Sequence, residues 1–171
     1  MEHVVLVDEH DRELGTLEKM EAHRNGSLHR AFSILIYNSK GELLIQQRAN
    51  GKYHSPGLWT NTCCSHPRPG EDIRVACARR LKEEMGITAT PTFQYKFKYR
   101  VVLEGGLVEH ELDHVFAATV DENPQINPDE VQNWKFIPVS ELLADVAATP
   151  EKYTYWFRLI LEHQYPGLRM N

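Results

Sequence analysis

Two short stretches and a pair of separated histidines carry the residue types that do chemistry in this chain. Thr62-Cys63-Cys64-Ser65-His66-Pro67 sets two thiols beside an imidazole. Glu109, Glu111 and Asp113 alternate with His110 and Leu112. His23 and His29 flank Asn25-Gly26-Ser27, a loop signal just before an apolar run. Each part has an ordinary reading: a lone histidine is commonly a surface or core residue, and alternate carboxylates commonly line the wet face of an edge strand. Taken together, His23, His29, His66, Glu109 and Glu111 form a donor set for a divalent transition metal. Imidazole suits Zn²⁺ and carboxylate suits Mn²⁺, so ligand type leaves the ion open between them. Spacing alone does not show that the five converge.

Placing these residues is the task of the elements around them. Val4–Val7 reads as a short strand ended by the turn Asp8-Glu9-His10-Asp11. Phe32–Tyr37 and Leu43–Gln47, joined by Asn38-Ser39-Lys40-Gly41, read as a hairpin. Ile73, Ala76, Cys77, Leu81 and Met85 recur at helical spacing over Asp72–Met85, with Gly86 placed to end the helix. A strand over Phe93–Leu103 carries Phe93, Tyr95, Phe97 and Tyr99 on one face. Gly105-Gly106 turns the chain into a strand over Leu107–Thr119, and alternation puts Glu109, Glu111 and Asp113 on one of its faces. A further strand is expected near Val131–Ile137. A short helix follows from Pro138-Val139-Ser140-Glu141, with Ser140 as its cap, and a last helix from Thr149-Pro150-Glu151 to about His163. Strands dominate without regular βαβ alternation, which is an α+β pattern: a mixed sheet covered by helices.

Length and charge narrow the function classes. A chain of 171 residues suits one domain. The net charge is −5 with no dominant basic face, which argues against nucleic acid and against a membrane surface as partner. A small anion held by a few local cations remains open. There is no signal-peptide pattern and no stretch long enough to span a bilayer, so a cytoplasmic protein is expected. Three cysteines, two of them adjacent, point to free thiols. A monomer is the working expectation.

Ser65 to Ile87 resembles the Nudix box. In that register Glu71, Arg79, Leu81, Glu83, Glu84, Gly86 and Ile87 fall on the motif, while Ser65 replaces its glycine and Arg80 one of its glutamates. The resemblance implies a Nudix-like fold. In Nudix hydrolases the acidic cluster holds Mg²⁺ against a diphosphate, and a cation at Arg80 weakens that cluster. Arg80 and Glu84 also have the spacing of a plain helical ion pair.

A closer likeness covers nearly the whole chain. Gly15-Thr16-Leu17-Glu18-Lys19, Leu28-His29-Arg30-Ala31-Phe32, Trp59 through Pro67, Arg79 through Gly86, Tyr99-Arg100 and Val108-Glu109-His110-Glu111 stand in the order found in type I isopentenyl diphosphate isomerases, a Nudix-fold family that does not hydrolyse its substrate. The resemblance implies that His23, His29, His66, Glu109 and Glu111 hold Mn²⁺ or Zn²⁺. It makes Cys64 the catalytic thiol and Glu111 the catalytic carboxylate, with Tyr99 assisting. Glu84, with the backbone at Cys64, is implied in holding the Mg²⁺ that bridges the diphosphate. Lys19, Arg48, Lys52 and Arg80 would surround the diphosphate of a small isoprenoid substrate, and Trp156 would be an active-site aromatic. Cys64, not Cys63, gives the family's Cys-x-His spacing to His66. The family usually has glycine where Ser65 stands, at a tight spot that a side chain could shift.

The implied reaction moves a double bond by one carbon through a tertiary carbocation. It needs one acid and one base held on either side of the substrate. Glu111 is the expected proton source and Cys64, as thiolate beside a metal, the expected base, with the reverse assignment serving the reverse reaction. An indole face would stabilise the cation, and water must be excluded. The N-terminal loop with Lys19 and His23, within about residues 1–30 of one domain over 1–171, is expected to act as a lid. The alternatives are a Nudix diphosphate hydrolase, which Arg80 disfavours, and a structural metal module, which has no need of a thiol.

Overall fold

The computed structural model describes residues 1–167 and contains one mixed sheet between two helical layers. The elements run β1 (His3–Val7), β2 (Glu13–Glu18), α1 (Lys19–Asn25), β3 (His29–Tyr37), β4 (Leu43–Arg48), β5 (Trp59–Thr60), β6 (Cys63–Ser65), α2 (Ile73–Met85), β7 (Thr92–Val102), β8 (Val108–Thr119), β9 (Val131–Ile137), α3 (Val139–Ala148) and α4 (Tyr155–Gln164). The hairpin β3–β4, helix α2 and strands β7 to β9 lie where hydrophobic period and turn residues put them. Helix α2 starts at Asp72, whose carboxylate accepts from Arg74 N–H. It stops at Gly86, which is left-handed at φ 66°.

Strand β3 is the hub. It runs parallel to β8 over its whole length, from His29 opposite Glu111 to Tyr37 opposite Thr119. It also pairs antiparallel with β6, bringing Ser33 opposite Cys64. Strand β8 is therefore central, with β7 on its other edge, and its acidic face is not the wet face of an edge strand. Glu109, Glu111 and Asp113 are all buried.

Each face of the sheet has its own core. Leu35, Val115, Trp156, Phe157, Ile160 and Leu161 pack α3 and α4 on one side. Phe32, Ile34, Cys77, Leu81 and Met85 pack α2 on the other. Alternation along β6 sends Cys63 into the α2 layer and Cys64 to the α4 side.

Several expectations need correction. The segment carrying Lys19 and His23 is not a loop: both lie on α1, which β2 precedes, and the loop before His29 is confined to residues 26–28. A bulge between Phe93 and Tyr95 turns Phe93 to the α2 side, against Phe116, so only Tyr95, Phe97 and Tyr99 share a face. Ser140 does not cap α3, whose first turn has no side-chain cap. Thr149-Pro150-Glu151 does not begin the last helix: Pro150–Lys152 is a short 3-10 turn, and α4 starts after it, capped by Thr154.

Candidate active site

Burying an acidic row next to histidines is costly unless the charges are matched. The register of β3 on β8 does the matching: His29 Nε2 lies 3.2 Å from Glu111 Oε2, and His66 Nε2 lies 2.8 Å from the same oxygen. Burial alone would raise the Glu111 pKa. The two imidazoles outweigh it and hold the carboxylate well below its usual range. Its other oxygen accepts from the Tyr99 hydroxyl at 2.7 Å. Glu111 thus divides its oxygens between the histidines and Tyr99.

Helix α1 adds His23. The side chain of Glu18 accepts from Met20 and Glu21 N–H, and Gly26 ends the helix in the left-handed region. His23 Nδ1 lies 2.7 Å from the Lys19 carbonyl, and His29 Nδ1 lies 2.9 Å from the Ser27 carbonyl. A carbonyl only accepts, so Nδ1 carries a proton in both rings and each Nε2 is the ring atom turned inward, open to a metal once any proton on it is displaced. The ligand atoms of His23, His29, His66 and Glu111 all lie within 4.8 Å of one another. Glu109 stands beside them, its Oε2 3.6 Å from His23 Nε2. Both of these atoms are buried without a hydrogen-bond partner. Two polar atoms left unpaired in a buried cluster of imidazoles and carboxylates fit a divalent cation.

The cluster forms one wall of an open cleft. Cys64, Ser65, Tyr99, Glu109, Glu111 and Trp156 line it, as do the cations Lys19, Arg48, Lys52 and Arg80. His23, His29 and Glu84 stand behind its surface. Each cation has a partner. Lys19 pairs with Glu2 at 2.6 Å and Lys52 with Glu130. Arg80 reaches Glu83 at 2.7 Å and Glu84 at 2.8 Å. Arg48 donates to the carbonyls of His54 and Ser55, and its guanidinium lies 5.3 Å from the Trp156 ring centroid. Trp156 is held by its indole N–H on Asn61 Oδ1, 3.3 Å away.

Glu84 is engaged on both oxygens. Gln46 reaches Oε1 at 3.4 Å, and Cys63 Sγ and Arg80 reach Oε2. Cys63 is fully buried against it, so only Cys64 faces the cleft. Burial pushes the Cys64 thiol up; Arg48 opposes this, while Glu84 and Glu111 add to it. Among these side chains alone the proton stays on sulfur, so the thiolate expected from the sequence needs an added positive charge. Ser65 lies in strand β6, outside the left-handed region, so no glycine is required there.

Sequence reasoning missed Tyr53, His54 and Glu130, which also line the cleft. His54 lies in the connection between β4 and β5, where no period marks it. The run Tyr53-His54-Ser55-Pro56-Gly57 ends in turn-forming residues and carries no hydrophobic period. Among the described residues no helix is long and apolar enough to cross a membrane.

Known proteins resemble this chain in fold and in sequence. A NUDIX domain matches residues 27–157. The solved structure of a Deinococcus radiodurans protein superposes with a TM-score of 0.78 at 21% identity, covering 96% of this chain and 99% of that one. A MutT protein from Methanosarcina mazei gives 0.67 at 21% identity, over 80% and 91% of the two chains. These likenesses speak for the fold. The isopentenyl-diphosphate Delta-isomerase of Pectobacterium atrosepticum is 52% identical over 91% of this chain and 87% of its own length. That of Photobacterium profundum is 50% identical over 95% and 93%. With identity of this level across nearly all of both sequences, the chain belongs to the isopentenyl-diphosphate Delta-isomerase family of Nudix-domain proteins.

Proposed function

We propose that this chain interconverts isopentenyl and dimethylallyl diphosphate. The observation that carries the reading is that a thiol, Cys64, and a tyrosine-bonded carboxylate, Glu111, open on one cleft whose other walls are four cations and an indole. A double-bond shift needs two proton-transfer groups and an anchor, and nothing more polar at the reacting carbons.

His23, His29, His66, Glu109 and Glu111 would hold Mn²⁺ or Zn²⁺. A cation there supplies the positive charge that favours the Cys64 thiolate and fixes the Glu111 carboxylate. Mg²⁺ usually keeps several waters and shares one or two carboxylates with substrate phosphates. The single carboxylate of Glu84, together with the Cys64 backbone, would suit that mode, so Mg²⁺ would arrive with the diphosphate. Lys19, Arg48, Lys52 and Arg80 would bind the diphosphate, which takes the place of Glu2 and Glu130 as partner of the two lysines. Arg80 also stands where a hydrolase would have a further metal-gathering glutamate, and it pairs with Glu83, so the diphosphate would be an anchor and not be cut.

At the reacting carbons Glu111 and Cys64 would share one proton: whichever group holds it delivers it to one carbon, the other, ionised, removes a proton two carbons away, and the roles exchange with direction. Tyr99 donates to Glu111 Oε1 and steadies its charged form. Trp156 presents its indole to the carbocation, an attraction of about 2 kcal/mol when desolvated. The chain would act as one catalytic domain, in which residues 1–30 bring Lys19 and His23 to the site, both on α1.

The test is to incubate the protein with isopentenyl diphosphate, Mg²⁺ and Mn²⁺ while following the allylic product and free phosphate. Allylic product without phosphate is expected. Phosphate without isomerisation would make the chain a hydrolase, and neither product, with metal tightly held, would make it a metal module.

A further inference from the structure

His54 is the one buried histidine at the site that the assignments above leave unused. Its Nε2 lies 2.8 Å from Glu109 Oε1. A carboxylate oxygen only accepts, so with the Ser55 hydroxyl able to donate to Nδ1 the ring proton lies on His54 Nε2 and points at Oε1. Nδ1 then faces the Ser55 hydroxyl, 3.3 Å away. The two oxygens of Glu109 therefore differ: Oε1 is engaged by His54, while Oε2 has no partner and faces the equally unpartnered His23 Nε2.

The ring of His54 is fixed from several sides. It stands edge-on to Trp156 at 5.6 Å and to Tyr53 at 4.4 Å between centroids. Arg48 holds the backbone carbonyls of His54 and Ser55. Ser55 is itself in the left-handed region at φ 49°, and Glu104 accepts from its N–H. A side chain locked this firmly suits setting the rotamer of a neighbour.

We propose that His54 is a positioning residue that turns the Glu109 carboxylate so that Oε2 points at the metal. The inference rests on the metal site of the proposed function. The ligand atoms of His23, His54 and Glu109 also lie within 4.8 Å of one another, so direct ligation by His54 is the rival arrangement. The mutual satisfaction of His54 Nε2 and Glu109 Oε1 favours positioning.

The experiment compares wild type, His54→Phe and His54→Gln, each stripped with chelator and titrated with Mn²⁺ and, separately, Zn²⁺. Phenylalanine keeps the ring against Trp156 and loses the N–H, whereas glutamine keeps an N–H. The expected result is a 10–100-fold weaker metal affinity in His54→Phe, the usual effect of losing such a partner. His54→Gln should recover most of the affinity. At saturating metal, His54→Phe should isomerise with the wild-type KM for the diphosphate. Unchanged metal affinity in His54→Phe would overturn the proposal and leave the site assignment standing. His54→Gln as weak as His54→Phe would overturn it in favour of direct ligation. A wild type that isomerises without retaining either metal would remove the metal-site reading and this inference with it. Equal melting temperatures of the stripped proteins exclude misfolding as the cause.

Discussion

Replacing Tyr99 with phenylalanine removes one oxygen and tests the division of Glu111 into two working oxygens. The Tyr99 hydroxyl donates to Oε1 at 2.7 Å, while His29 and His66 sit on Oε2. Burial, reinforced by Glu109 and Glu111, raises the Tyr99 pKa well above its usual value, so the hydroxyl keeps its proton and donates. Phenylalanine preserves the ring contacts with Phe97 at 5.8 Å and Tyr155 at 6.2 Å. The lost interaction is a hydrogen bond to a charged group, about 1.5–3 kcal/mol. At about 1.4 kcal/mol per tenfold in rate, kcat for isomerisation should fall roughly 10–150-fold. KM should hold, because the cations of the anchor are untouched. Bound metal should hold too, because Oε2 is untouched. The assay is initial-rate isomerisation across substrate concentrations, with metal content measured on the same samples. A kcat within about twofold of wild type, or a loss of metal in step with the loss of rate, would refute the division of labour.

Cys64→Ala should abolish isomerisation, whereas Cys63→Ala should keep it and lose about 1 kcal/mol of stability for a small vacated volume in the α2 layer, read by urea unfolding. Gly86→Ala should destabilise by roughly 3 kcal/mol, from the left-handed backbone and from a Cβ that would meet the Gln125 carbonyl oxygen at 2.6 Å. That corresponds to a melting temperature about 6–12 °C lower. Glu71 accepts from Arg79 through both oxygens, at 2.8 and 2.9 Å, which is the main reason its pKa lies below 4.5. A depressed carboxylate contributes stability that is present above the unfolded value and is lost as pH falls through the folded one. Glu71→Gln should therefore cost about 1 kcal/mol at pH 7 and progressively less below about pH 4, so its urea midpoint converges on that of wild type in acid.

The parts legible from the sequence were those with a period long enough to carry a signal. Alternation along Val108–Thr119 put Glu109, Glu111 and Asp113 on one face, and helical spacing placed α2 with Gly86 at its end. Alternation cannot say whether a strand is central, and the parallel partner β3 is what buries that acidic face. Helix α1 was illegible because it spans seven residues, buries only Ala22 and His23, and is capped by a glutamate, a residue type not favoured at that position. Strands β5 and β6 are two and three residues long, too short for any pattern. The Phe93 face was misread because a bulge changes parity without leaving a mark in residue type. Individual site roles came from motif likeness, and His54 was missed because it lies in neither a motif nor a periodic element.

The pairing of β3 with β8 also bears on how the chain folds. His29 and Glu111 are separated by 82 residues, and they meet only through that parallel pairing. Loop-closure entropy must be spent on this contact before it returns anything, which places it among the slow steps of folding. A metal that needs both residues finds no site in the unfolded chain and binds only the finished sheet. It would then leave the folding rate nearly unchanged and slow unfolding, the pattern of an interaction absent from the transition state. The ion at this site would act as a latch on a completed sheet and not as a template for its assembly.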